Sequence, residues 1–213
     1  MPDTDPLREL TLVRLSKLGC RTPTDVPKLA DGLRLRPVEE VVTRLFSLHA
    51  TAAVSFGFDR AGALDWLASE GLVDGLGEFD RAYLEGRAGD GYLFQGRIEA
   101  MWALAWAMGL VEEMSADEPC ADEFVQKMPD LRSRQRTAPL RRAAHLRSLD
   151  ELTDSLDLYR CLHHLAMAAE LGGPELPPGF GTHAIAQRHH ALAWLLSQEE
   201  WERVPFTSDG FPR

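Results

Sequence analysis

The sequence predicts an all-α protein, a single-domain helical bundle of about eight helices with little or no sheet. Apolar residues recur at spacings of three and four along most of the chain, which is the period of a helix face. Capping residues, glycines and prolines bound these stretches, and no run of alternating β-branched residues indicates a strand. With 213 residues, 45% of them apolar and 26% charged, the chain suits one globular domain, which we assign to residues 1–213.

The first part of the chain is divided into helices by acidic caps and prolines. Asp5 and Pro6 form an N-cap and first-turn pair that predicts a helix over residues 6–18. Residues 19–36 have no sustained period and are predicted to be a connection or a short turn of helix. Pro37 then starts a second amphipathic helix, because proline is well suited to the first helical position.

A glycine-rich connection precedes the most apolar helix. Asp59 is the predicted cap of a third helix, and a short helix follows at residues 79–84. Residues 86–96 hold four glycines; a phosphate-binding loop would follow a strand, so we predict a flexible connection here. Residues 97–110 are apolar on all sides and are therefore predicted to be the central helix, with Trp106 in apolar surroundings.

Two oppositely charged blocks follow the central helix. Residues 112–123 carry six acids and no base, and residues 131–147 carry six arginines and no acid. Three prolines punctuate this region, so we predict an irregular, poorly packed crossover over about residues 112–147. The partner of the arginines is expected to be the acidic block or an acidic protein surface.

Two further helices and a tail complete the chain. Ser148 and Glu151 form a capping box that predicts a long helix ending near Gly172. Thr182 is the predicted cap of the last clear helix. The tail of residues 200–213 is expected to pack back onto the body of the protein.

Composition and motif content exclude several classes of protein. The polar, acidic N-terminus does not look like a signal peptide, and the longest apolar run, Met101–Val111, has 11 residues. Because a membrane-spanning helix needs about 20, we expect a cytoplasmic protein with no membrane partner. The three cysteines lie far apart and asparagine is absent, which excludes paired-cysteine centres and a Cys-His-Asn triad. No cofactor is predicted.

Five short motifs follow one another in a recognisable order. They are RxEAxWALAWAxG at Arg97–Gly109, LRSxDEL at 146–152, DLYRCLH at 157–163, RHHALAWL at 188–195, and Trp201 followed by Thr207. In this order they resemble the helical bacterial family called domain of unknown function 4272, from about residue 12 to residue 207. The resemblance implies an intracellular all-helical domain and no particular activity. The chain departs from the family pattern at Gly96 and His164, where aromatic residues are expected.

Polar residues interrupt three apolar helices and form the candidate site. The candidate ligand-binding residues are Arg97, Glu99, Asp154, Asp157, Tyr159, Arg160, His163, Arg188 and His189. Asp157 and Arg160 are three residues apart, as are Arg160 and His163, so each pair shares a helix surface. If the helices pack together, these groups form either a structural ion-pair network that fixes helix register or a binding site.

A metal-dependent site is the most specific version of the binding hypothesis. Each adjacent histidine pair, at 163–164 and 189–190, offers one well-aimed ligand, because neighbours on a helix point about 100° apart. Two histidines with Asp157 would make a facial ligand set. No HExxH or GxSxG motif is present, so neither a metal centre nor a catalytic residue is assigned.

Nucleic acid is a weak candidate partner for the arginine block. Pro139 interrupts a continuous groove-binding helix, few aromatic side chains accompany the arginines, and the net charge of -10 repels a polyanion. We therefore expect a non-catalytic cytoplasmic interaction or binding protein with a protein partner. Its acidity and small size suggest a toxin-neutralising or regulatory setting. The alternative is an enzyme or metal-dependent small-ligand binder that uses the polar cluster between the helices.

Overall fold

A computed structural model describes residues 5–30, 32–87 and 89–205, and within these ranges the chain forms nine α-helices and no strand. The helices are α1 (Pro6–Lys17), α2 (Val38–Ser55), α3 (Arg60–Ser69), α4 (Glu78–Leu84), α5 (Gly91–Gln95), α6 (Ile98–Ala107), α7 (Ala138–Ala143), α8 (Leu149–Glu170) and α9 (Thr182–Leu195). Short 3-10 helices lie at Val73–Gly75, Asp122–Lys127 and Trp201–Arg203. The predicted all-α class is confirmed. In the described ranges no helix combines the length and apolarity needed to cross a bilayer.

The centre of the fold is built from α6, α8 and α9. α9 packs against both α6 and α8, while α1 covers α8 and α2 packs on α6. α6 buries Ala100, Ala103 and Ala107, whose small side chains allow a neighbouring helix to come close. Trp106 packs against the apolar core, but it is less enclosed than the sequence predicted. It is half-buried, and the guanidinium of Arg147 lies 4.6 Å from the centre of its ring.

Helix ends follow the local signals with two exceptions. The first is Pro37, which lies at the cap position, so that α2 begins at Val38 and not at the proline. Three predicted caps are confirmed, at Asp5, Asp59 and Ser148, where each side chain accepts a hydrogen bond from a backbone N–H of the first turn. The predicted cap at Thr182 is wrong, because Thr182 is already the first helical residue and Gly181 occupies the cap position. A glycine at this position leaves the N-terminus of α9 without a side-chain cap.

The sequence did not predict two of the short helices. α5 lies inside the glycine-rich connection, where Asp90 caps it by accepting a hydrogen bond from the N–H of Tyr92. α7 lies inside the arginine block, and Pro139 falls in its first turn. A proline in that turn costs no helical hydrogen bond, so it starts this helix rather than breaking it.

The segment over residues 112–136 is better packed than expected. It contains only a 3-10 helix, as its irregular sequence predicts, but it buries Phe124, Met128 and Leu131 in the main core. The expectation of a poorly packed crossover is therefore wrong for this part. Its apolar residues are too few and too unevenly spaced to be recognised as a core element from the sequence.

The arginine block does not pair with the acidic block. Arg134 pairs with Asp65 at 3.5 Å and Arg136 pairs with Glu70 at 3.0 Å, so both contact the region of α3. Arg147 reaches residues 111 and 112, but it binds their backbone carbonyls rather than carboxylates. Asp65 and Glu70 thus take the place that the sequence analysis assigned to the acidic block. The order of charges along the chain does not show which acids lie close in the folded protein.

The end of the described chain returns to the core. Trp201 is buried and packs edge-on against His190, with 4.5 Å between the ring centres, and it also contacts Trp194. Residues 206–213, which include Thr207 of the last motif, lie outside the described residues.

Candidate functional site

Arg188 on α9 is bound by groups from three parts of the chain. Its guanidinium donates to Glu99 of α6 at 2.8–2.9 Å and to the hydroxyl of Tyr159 of α8 at 3.0 Å. It also donates to the backbone carbonyls of Ser115 and Glu118. The Arg188 side chain is 1% exposed and that of Glu99 is 13% exposed, so the guanidinium itself is buried. Burial raises the pKa of Tyr159, which stays a neutral hydrogen-bonding partner.

Asp157 has a different partner from the one its spacing predicts. Both of its carboxylate oxygens accept hydrogen bonds from Arg8 of α1, at 3.0 and 2.8 Å. Arg8 also donates to the carbonyls of Val26 and Pro27, and Arg160 donates to the carbonyl of Lys28. These bonds attach α1 and the following connection to α8, so the surface shared by Asp157 and Arg160 is used to hold the N-terminal part.

A third buried ion-pair group centres on a residue that the sequence did not single out. Asp80 of α4 is fully buried, and its two oxygens accept hydrogen bonds from Arg44 of α2, at 2.6 Å, and from Arg97. Arg97 was a candidate, but Asp80 and Arg44 were missed. The available signal was Arg44 itself, a charged residue in the otherwise apolar stretch of α2.

His163 and His189 are buried together between α8 and α9. Their rings stack with 5.1 Å between centres and 19° between planes. Neither ring nitrogen of His189, nor Nδ1 of His163, has a hydrogen-bond partner. Burial lowers the pKa of His163 and lowers that of His189 to about 3, so both rings are neutral near pH 7. Two buried polar rings without partners cost stability.

The nine candidate residues are therefore not one cluster. Arg97 pairs with Asp80. Arg188 forms a separate group with Glu99 and Tyr159. Asp157 and Arg160 bind the N-terminal part of the chain. Asp154 stands apart on α8, half-buried, with its pKa raised by burial. Most of these side chains are sealed in contacts with other helices, which is what a structural network requires.

The structure does not assemble the hypothesised metal ligands. Two histidines do meet, but the third ligand, Asp157, is held by Arg8. Among the described residues no group of three or more His, Cys, Asp or Glu side chains is placed to hold a metal ion. Burial raises the pKa of Cys120 and of Cys161 to about 12, so both thiols are protonated near pH 7.

None of the nine candidates lines a cleft of about 480 Å³. It is lined mainly by apolar side chains from the end of α2, the start of α6 and the segment over residues 125–135: His49, Ala52, Ala53, Phe56, Phe58, Ile98, Met101, Val125, Gln126, Met128, Pro129, Asp130, Leu131, Arg132 and Gln135. Its size and its mix of many apolar and few polar groups are typical of binding sites.

The walls of this apolar cleft are fixed by hydrogen bonds from buried rings. His49 donates from Nε2 to the carbonyl of Pro129 at 2.8 Å, because a carbonyl can only accept. Burial lowers the pKa of His49, so the ring is neutral and Nδ1 is the nitrogen able to accept a hydrogen bond. Trp66 donates to the carbonyl of Gln135 at 2.9 Å. Contacts within the chain thus hold two of the segments that line the cleft.

Large apolar side chains remain exposed at and near the mouth of the cleft. Phe56 is 63% exposed and Val125 is 48% exposed. α5 lies next to Phe56, because Gln95 of α5 donates a hydrogen bond to the carbonyl of Ser55. Tyr92 and Leu93 of α5 are 78% and 55% exposed. Exposed apolar surface around a formed cleft is typical of an interaction site.

Comparison with known proteins identifies the family. The sequence profile of the domain of unknown function DUF4272 matches residues 8–204, which is most of the 213-residue chain. The chain belongs to the DUF4272 family. No curated protein and no solved structure matches it.

The motifs that led to DUF4272 supply most of the buried polar contacts of this member. Arg97 and Glu99 come from the first motif, Asp157 from the third and Arg188 from the fourth. At Gly96, the first departure from the family pattern, a Cβ atom would meet the exposed ring of His183, which would have to turn aside. Sequence reasoning found these residues and missed the cleft, whose lining comes from three distant segments with ordinary composition.

Proposed function

We propose that this DUF4272 protein is a non-catalytic binding protein, and that the apolar cleft receives an apolar segment of a protein partner. The observation that carries the proposal is the pairing of a formed cleft with exposed aromatic residues, Phe56 at its mouth and Tyr92 on the neighbouring α5. Aromatic residues are enriched where proteins bind one another. The exposed apolar surface extends past the cleft itself, which suits a protein partner better than a small molecule.

An enzyme or metal-dependent binder built on the polar cluster has less support. Such a site needs its groups to converge on a space that a substrate can enter. Arg188 and Asp157 are instead sealed in contacts with other helices, and none of the nine candidates lines the apolar cleft. The charged groups therefore suit structural roles, and the cleft suits the functional one.

Other parts of the proposal rest on composition. The three cysteines are free, which supports a reducing, cytoplasmic setting. A nucleic-acid partner has less support, because several arginines of residues 131–147 are already used by α3 and the net charge is -10. Acidity and small size are the support for a regulatory or toxin-neutralising setting.

The test is selection of peptides from a random phage-displayed library on the purified protein and on the Ala53→Trp variant. Ala53 lines the cleft and is half-buried, so tryptophan at this position fills the cleft without a change of charge. Ala68→Trp, at an exposed position of α3 outside the cleft, is the matched control. We expect selected peptides to bind Ala53→Trp at least about tenfold more weakly, a loss of about 1.4 kcal/mol, and to bind the control normally. Peptides that bind all three proteins equally, or no enrichment at all, would overturn the proposal.

A further inference from the structure

The arginines at and near the rim of the apolar cleft differ in whether they form ion pairs. Arg132 lines the cleft, is exposed, and takes part in no ion pair among the residues that the structure describes. Its neighbours differ in this respect, because Arg134 and Arg136 are already paired with Asp65 and Glu70. Arg132 is therefore the cation at this rim that remains for a partner.

Asp130 is the one acid among the described lining residues, and its carboxylate accepts a hydrogen bond within its own turn. Its Oδ1 accepts a hydrogen bond from the backbone N–H of Arg132 at 3.0 Å, which closes a tight turn. The side chain of Ser133 also bonds within this turn. Asp130 thus shapes the turn that presents Arg132, and it forms no ion pair with the Arg132 guanidinium within 4.0 Å.

The net charge of -10 does not decide which charge is attracted at the cleft. At physiological salt, interactions between exposed charges are screened beyond about 8 Å. A segment seated in the cleft therefore experiences the charges nearest to it, which are the Arg132 guanidinium and the Asp130 carboxylate. The carboxylate is hydrogen-bonded to the backbone N–H of Arg132, so the guanidinium is the charged group whose hydrogen-bonding groups remain for the segment. Polyanions are different, because they need many cations spread over a wide surface.

We infer that the segment that enters the cleft carries acidic residues beside its apolar anchors, so that a carboxylate reaches Arg132 while apolar side chains pack against Phe56, Ile98 and Met101. This inference rests on the function proposed above. The described residues offer no sheet edge for strand addition, so side chains rather than backbone have to carry recognition. A bidentate pair between guanidinium and carboxylate at the edge of an apolar cleft fixes the orientation of the segment.

The peptide selection described above tests this inference when it is repeated on Arg132→Glu. Peptides selected on the natural protein are expected to contain Asp or Glu close to apolar residues. They should bind Arg132→Glu at least about tenfold more weakly, as expected for the loss of about 1.4 kcal/mol. Selection on Arg132→Glu should favour Lys or Arg at the same positions, because the variant reverses the charge that the segment meets.

Arg142→Glu provides the matched control. Arg142 is also exposed, lies on α7, forms no ion pair among the described residues and does not line the cleft. This variant changes the net charge by the same amount, so peptide affinity should stay within about twofold of the natural protein if attraction is local. Equal weakening by Arg132→Glu and Arg142→Glu would assign the effect to net charge and overturn the inference.

The outcomes separate the inference from the function on which it rests. If peptides depend on the open cleft but are neutral or basic, and Arg132→Glu leaves their affinity unchanged, the inference fails and the proposed binding function stands. If peptides do not distinguish the natural protein from Ala53→Trp, the proposed function itself fails. Thermal unfolding of each variant near the natural melting temperature establishes that altered binding reflects the surface and not the fold.

Discussion

Mild acid should destabilise this protein because it buries several histidines in neutral form. Burial lowers the pKa of His189 to about 3 and that of His190 to about 4, from an ordinary value of 6.5. Below that value the unfolded chain binds protons that the folded protein does not bind. Stability is therefore complete above about pH 6.5 and falls as the pH drops toward the two folded pKa values.

The size of the loss follows from these pKa values. Each histidine contributes about 1.4 kcal/mol for every pH unit between its unfolded and folded pKa. From about pH 6.5 to about pH 5, His189 and His190 together lower the free energy of unfolding by about 3 kcal/mol. A typical domain is stable by about 5–15 kcal/mol, so this is a large share. The pKa values of His49 and His163 are also lowered by burial, which adds to the loss.

Urea unfolding followed by tryptophan fluorescence, at several pH values between about 7.5 and 5, measures this dependence directly. The window lies above the pH at which carboxylates titrate, so histidines dominate it. His189→Leu should reduce the slope by about 1.4 kcal/mol per pH unit and raise stability near pH 7.5, because it removes two nitrogens without partners. A free energy of unfolding that is flat from pH 6.5 to 5 would refute the assignment of these rings as buried and neutral.

Three further predictions concern the buried ion pairs. Asp80→Asn leaves two arginines without a carboxylate and should lower the free energy of unfolding by about 3–5 kcal/mol in urea; a loss below about 1 kcal/mol would mean that water replaces the pair. Arg8→Met should lower the free energy of unfolding by a similar amount, because it leaves Asp157 unpaired. The double variant with Asp157→Leu should recover most of this loss. Additive losses would show that the two residues do not act together. Arg188→Met should release residues 115–118, so limited proteolysis should cut there faster than in the natural protein, and unchanged protection would show that other contacts hold the segment.

The buried ion pairs connect parts of the chain that are distant in sequence. Arg8 and Asp157 are 149 residues apart, and Glu99 and Arg188 are 89 residues apart. Replacing such a pair by apolar residues is often neutral, but removing one partner is costly, so each pair penalises arrangements in which its helices are displaced. We interpret these pairs as determinants of helix position, in keeping with their burial away from the apolar cleft.

The sequence by itself determined the helices, because helix formation depends on residues within a few positions of one another. The apolar spacing of α2, the cap at Asp59 and the capping box at Ser148 are local signals, and the structure confirms them. Local signals failed where they were weak, as at the five residues of α5 inside a glycine-rich stretch. They also failed at Thr182, where threonine suits both the cap and the first turn.

Only the tertiary structure decided how the polar residues are grouped and where the apolar cleft lies. The spacing of Asp157 and Arg160 places them on one helix surface, but which cation reaches Asp157 depends on where α1 packs. The apolar cleft is likewise made by three segments that meet only in the folded protein, around His49, Met101 and Leu131. Spacing along the chain fixes neighbours on one helix, whereas contacts between helices depend on their relative positions, which local sequence does not specify.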